Sequence, residues 1–175
     1  MPIAKPEELA KYYEETGMNK LFKWEDQQLH PLPQDYGDMI GWREMAQKAA
    51  AVYNSLPPEE RSKTGIYCRG YFTAGALNYY RNELGLPEVI SDDASFLLWM
   101  PEKYNIKNLL LIGHRVPGKD DLVFQQFGKM TIKDSVNMPL FRETGMKFIL
   151  FENGNDSLNA IIERGVAGLK SQFIR

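Results

Sequence analysis

Residues 64–87, TGIYCRGYFTAGALNYYRNELGLP, constrain the fold more than any other stretch. The first residues read as a strand, glycines follow at 70 and 75, and the remainder has the spacing of a helix that Gly85 closes. A strand that turns straight into a helix is the opening of a strand–helix–strand unit, and it is also how phosphate-binding loops are laid out. The residues decide between these uses. Gly75 is followed by Ala76 and Leu77, so the lysine and hydroxyl of a G-x-x-x-x-G-K-[ST] loop are both missing. Phe72 stands two residues after Gly70, which breaks the dinucleotide pattern G-x-G-x-x-G. The two glycines read instead as room for a tight strand-to-helix turn and for close packing of the helix on the sheet.

The same alternation continues down the chain. EVIS at 88–91 is a short strand, and KNLLLIG at 107–113 is a continuous apolar run, expected of a strand covered on both faces. KDDLVFQQF at 119–127 reads as a helix, KMTIKD at 129–134 as an edge strand, and MKFILFE at 146–152 as the last strong strand. Asp156 or Ser157 then caps a closing helix whose apolar stripe is Leu158, Ile161, Ile162, Val166 and Leu169. This pattern predicts an α/β fold, a three-layer αβα Rossmann-like sandwich around a mainly parallel sheet of about five strands.

Upstream, Pro6 begins a short helix with acidic residues in its first turn and Gly17 as its stop. Residues 18–37 are loop-like and dotted with aromatics. Met39, Trp42, Met45, Ala46, Ala49, Val52, Tyr53 and Leu56 then form one helical stripe, with Trp42 as its expected anchor, ended by Pro57 and Pro58. Two regions result: 1–41, a helix and covering segment, and 42–175, a single α/β domain.

Charge excludes one class of partner. The net charge is −2 with no basic stripe, so a nucleic-acid footprint is absent and no nucleic-acid partner is expected. Cys68 is the single cysteine, which rules out an internal disulfide and a cysteine-built zinc site. No apolar run approaches the ~20 residues that cross a bilayer.

In a parallel sheet, ligands meet the carboxyl ends of the strands. Arg69, Gly70, Tyr71 and Thr73 follow the first strand, and Ser91, Asp92, Asp93 and Ser95 the second. His114 and Arg115 follow the third, and Glu152 and Asn153 the last. Among these, Arg69 suits a phosphate, Tyr71 a sugar face, and Asp92, Asp93 and Ser95 hydroxyl groups, with Thr73, His114 and Arg115 as further candidates for binding. Asp92 and Asp93 are neighbours in an extended segment, where side chains diverge, so no metal site is expected there. Asp35 and Asp38 precede the helix at 42 and favour its positive N-terminus. His114 stands where a general base is presented, yet His30 is the only other histidine and no triad can be completed. Cys68 lies within the first strand and reads as a buried thiol. No cofactor is implied.

One stretch carries a family resemblance. LPQDYGDMIGWREM, then VYNSLPPEER, then GYFTAGALNYY, then GLPEVISDDASFLLWMP occur in this order between Leu32 and Gly113. They resemble the soluble C-terminal region of bacterial membrane glycosyltransferases of the dolichyl-phosphate-mannose protein mannosyltransferase type, the group that includes aminoarabinose transferase-like proteins. There the blocks run LPQ-x-x-A-D-M-x-G-W-E-E-M, V-Y-x-S-L-P-P-E-E-R, N-Y-G-E-A-G-A-L-x-Y-Y and G-L-P-x-x-I-S-G-H-N-S-Y-x-L-W-G-P. The early PIAKPEELAKYYEETGM looks like the stretch after the last membrane span. The likeness covers roughly the first two thirds of the chain. It implies a non-catalytic appendage facing the periplasm or cell exterior, with Met1 foreign to it. Its partners would be the transmembrane part of the parent enzyme and a lipid-linked sugar or acceptor. The departures fall in two loops: Gly70 and Thr73 stand where the family has asparagine and glutamate, and Asp93 and Ala94 where it has histidine and asparagine. Two other classes stay open, a free-standing sugar or nucleotide enzyme using His114 or Asp93 as acid/base, and a structural or self-association module.

Overall fold

The computed structural model describes residues 4–118 and 120–173. They form two compact units, residues 4–42 with Asn137–Gly145, and Arg43–Val136 with residues 146–173.

In the first unit, α1 (Pro6–Glu15) starts at its proline, and the Lys5 N–H donates to the Glu8 carboxylate at 3.4 Å. A 3-10 turn, Met18–Leu21, and the single-turn α2 (Gln34–Gly37) follow. The segment read from sequence as loop has its own small core. Trp24 is buried, stacks on His30 with ring centroids 3.7 Å apart, and donates its indole N–H to the Leu32 carbonyl at 2.8 Å. Asp38 ends α2 and accepts the Arg142 guanidinium at 3.0 Å, while Glu25 takes the same guanidinium at 2.8 Å. Trp42 is half-buried and no core anchor: its ring meets Phe141 edge-on and its N–H is satisfied by the Asp38 carbonyl at 2.7 Å. Met39, placed on the same stripe by spacing, is 59% exposed.

The second unit carries the rest of α3 (Trp42–Asn54), which buries Met45, Ala46, Ala49, Ala50, Val52 and Tyr53. Next come α4 (Pro58–Arg61), β1 (Thr64–Cys68), α5 (Tyr71–Leu84), β2 (Val89–Ile90), α6 (Phe96–Trp99) and β3 (Asn108–Gly113). β4 (Phe127–Ser135), β5 (Lys147–Gly154) and α7 (Leu158–Phe173) complete it. The five strands make one sheet in the order β2-β1-β3-β5-β4.

The strand period of two sorts side chains to opposite faces. Ile66, Cys68, Leu110, Ile112, Phe148 and Leu150 share one face through the pairs Ile66↔Leu110, Cys68↔Ile112, Leu110↔Leu150 and Ile112↔Phe148. α5 packs beside β1 and β2 with Ala74 and Leu77 fully buried, and α3 joins it through Arg43–Glu83. Lys48 of α3 also reaches Asp134, the β4 partner of Phe148, at 2.7 Å. Tyr67, Leu109, Leu111, Ile149 and Phe151 point the other way, toward α7 and α6, with Ile106 and Phe127 packed against both apolar clusters there. Helices therefore lie on both faces, as an apolar run like that of β3 requires.

Three expectations are corrected. The fold is α/β, but the sheet is mixed and not mainly parallel: β1 pairs in parallel with β2 and β3, while β5 pairs antiparallel with both β3 and β4. Parallel neighbours need a crossover of a dozen or more residues, usually helical. Residues 136–146, between β4 and β5, hold no helix, and β5 returns against its neighbours. Second, KDDLVFQQF forms only a 3-10 turn at Phe124–Gln126. Third, neither Gly70 nor Gly75 is demanded by packing: a Cβ at Gly70 meets nothing within 4 Å, and one at Gly75 touches only the Phe96 ring at 3.8 Å. Among the described residues no helix is long and apolar enough to cross a membrane.

A cleft at the parallel half of the sheet

The carboxyl ends of β1 and β2 open into a cleft of about 230 Å³. Strand alternation explains its first wall. Ile66 and Cys68 turn inward toward α5, so Tyr67 and Arg69 turn to the opposite face, beside Ile90 and Asp92 from β2 and its exit. α7 contributes Ile162, Gly165, Val166 and Leu169, and Met100, Tyr104, Ile106, Asp121, Val123 and Phe124 also line it.

The segment from Met100 to Ile106 has no regular structure, and α7 holds it in place. The Asn159 side chain accepts the Ile106 N–H at 3.0 Å and donates to the Ile106 carbonyl at 3.1 Å. One turn on, Glu163 accepts the Tyr104 N–H at 3.0 Å and the Lys103 ammonium at 2.9 Å. Lys170 donates to the Met100 carbonyl at 2.6 Å. The Tyr104 N–H first, and Lys103 after it, hold the Glu163 carboxyl below its ordinary range.

Inside, the lining is mostly apolar, with polar groups gathered at the sheet edge. The Tyr67 hydroxyl donates to Asp92 at 2.6 Å, and Arg69 pairs with Asp121 at 3.3 Å. Burial first, and then the Asp92 carboxylate, push the Tyr67 phenol well above its usual range, so it remains a donor. The Tyr104 hydroxyl oxygen is shut off from solvent and finds no hydrogen-bond partner. Burial, then Glu163, raise that phenol to about 12, so it too keeps its proton.

Of the residues expected to bind, Arg69 and Asp92 line the cleft. The others lie elsewhere. Asp93 accepts the Tyr71 N–H at 3.0 Å, satisfying a free donor in the first turn of α5. Tyr71 is 40% exposed and packs on Phe72, Thr73 is buried, and Ser95 stands before α6. His114 and Arg115 are exposed after β3, where the His114 carbonyl accepts Lys147 at 2.9 Å. Glu152 and Asn153, grouped with these by the parallel-sheet expectation, lie at the opposite edge because β5 is reversed: the Asn153 N–H donates to the side chain of Asn108, at the start of β3. Cys68 is fully buried on the other face, and burial pushes its thiol far up. No group of three or more His, Cys, Asp or Glu suited to a metal occurs among the described residues.

Sequence reasoning missed Tyr67, Tyr104, Asp121 and Gly165. Tyr67 was legible from alternation within β1. Asn159 and Glu163, four residues apart on one face of α7, were the available sign that this helix holds a neighbouring segment. No protein-family model, curated protein or solved structure matches the chain.

Proposed function

We propose that this chain is a non-catalytic accessory domain of a membrane glycosyltransferase that uses a polyprenyl-phosphate-linked sugar. In this reading it faces the periplasm or cell exterior, and it partners the transmembrane part of the parent enzyme while helping to recognise a donor or acceptor. Its αβα arrangement would be a variant of the Rossmann-like sandwich in which one reversed strand enters beside β3. Two things support the reading: the ordered sequence blocks between Leu32 and Gly113, and the fate of the residues that chemistry would need. The first carries it. Asp93 is engaged by a backbone N–H of α5, Cys68 is buried with a raised thiol, and His114 lies outside the cleft. None of these three side chains lines the cleft.

The deciding experiment is to read the gene upstream of Pro2 and to express the full reading frame. Several apolar spans of about 20 residues each are expected there. A stop codon directly upstream would overturn the proposal, and so would sugar transfer or hydrolysis by the isolated domain.

A further inference from the structure

We propose that the cleft beside α7 is a binding site for a small amphipathic molecule, a hydrocarbon body carrying a polar head that is uncharged or cationic. The inference holds whatever lies upstream in the gene. Two observations carry it.

The first is the glycine. Gly165 sits in the interior of α7, where glycine costs about 1 kcal/mol relative to alanine. A Cβ here meets nothing within 4 Å, as at Gly168, and φ is not in the left-handed region. Of the two, Gly165 lines the cleft, so a larger residue at 165 would occupy it.

The second is charge. Among the described residues, the charged side chains lining the cleft are one guanidinium, Arg69, and two carboxylates, Asp92 and Asp121. Asp121 pairs with Arg69, and Asp92 accepts the neutral Tyr67 hydroxyl. An anionic head meets a surplus of negative charge, whereas a hydroxyl or ammonium head does not. At about 230 Å³ the space is below the roughly 300–1,000 Å³ of drug-sized pockets, so the occupant is small.

Three probes share one tail and differ in the head: octyl glucoside, octylammonium chloride and octyl sulfate, each titrated calorimetrically below its micelle concentration. The glucoside and the ammonium should bind with one-to-one stoichiometry. The sulfate should bind about ten-fold more weakly, the effect of one unfavourable charge contact in a partly screened mouth. Gly165→Leu should melt no lower than wild type and lose binding of all three. Equal affinity for the three heads, no binding by any of them, or a folded Gly165→Leu protein that binds like wild type would overturn the proposal. The head-group order in the wild-type protein is decisive even if the leucine variant does not fold.

Discussion

One face of the sheet is finished in two different ways. Over the antiparallel half it is closed: Phe151 lies against Phe124 and Phe127 with ring centroids 4.7 and 5.5 Å apart, and Ile149 beside it is fully buried. Over the parallel half, the same layer opens into the cleft between Tyr67, Tyr104 and Gly165. Both halves present apolar sheet surface, so hydrophobicity does not separate them. The size of the covering side chains does. Three aromatic rings fill one end, while a glycine faces the other, where Asn159, Glu163 and Lys170 hold the segment 100–106 against α7.

Substitutions on each side should break this contrast by different amounts. Phe151→Ala, at a buried position of β5 on this face, should cost about 3–5 kcal/mol in denaturant melts. A loss below about 1 kcal/mol would mean that the antiparallel half is not the closed half. The glycines form the next pair. A Cβ at Gly154, the end of β5, lies 2.4 Å from the Leu158 side chain and 3.0 Å from the Lys107 carbonyl oxygen. Gly154→Ala should therefore destabilise by about 1–3 kcal/mol. Gly165→Ala should do the reverse, stabilising by about 0.5–1 kcal/mol through helix propensity alone. If both alanines shift the melt in the same direction, the two halves do not differ in packing as described.

The smallest effect is acid sensitivity. Asp134 in the antiparallel half is held below its ordinary range by hydrogen bonds from Lys48 first and the Ser135 N–H second, as Glu163 is by Tyr104 and Lys103 in the parallel half. A carboxyl lowered on folding adds stability that is present above its unfolded value, about 3.9 for Asp and 4.3 for Glu, and is lost as pH falls through the folded value. Asp134→Asn and Glu163→Gln should each flatten that acid decline, seen as a smaller drop in melting temperature below about pH 4. For the part-exposed Lys48–Asp134 pair the change should stay under about 1 kcal/mol. An unchanged acid limb in either variant would remove that carboxylate from the account.

The parallel half was also the half the sequence made legible. The strand-to-helix turn at 64–84, the short strand at Val89–Ile90 and the apolar run of β3 follow from period and punctuation, and each lies where those signals put it. The antiparallel half is settled by contacts that period cannot report. MKFILFE reads as a covered strand in either direction, and only the path of residues 136–146 sets its sense. KDDLVFQQF has helical spacing, yet Phe124 packs against the apolar cluster of the sheet, so tertiary burial outweighs local preference. The cleft divides in the same way. Arg69 and Asp92 could be read off the strand ends. Tyr104 and Gly165 could not, because one comes from an irregular segment positioned by α7, and a helix glycine has no sequence mark telling an open space from a close contact.

The most direct test of the open half is to follow backbone amide chemical shifts while octyl glucoside is titrated into the wild-type protein. The shifts should concentrate at residues 67–69, 90–92, 104–106 and 162–169, and Gly165→Leu should abolish them. Met130 and Ile132, exposed on the edge strand β4, offer an alternative apolar surface for the same tail. Shifts centred on residues 129–133, or spread evenly over the surface, would contradict the assignment of the cleft as the site.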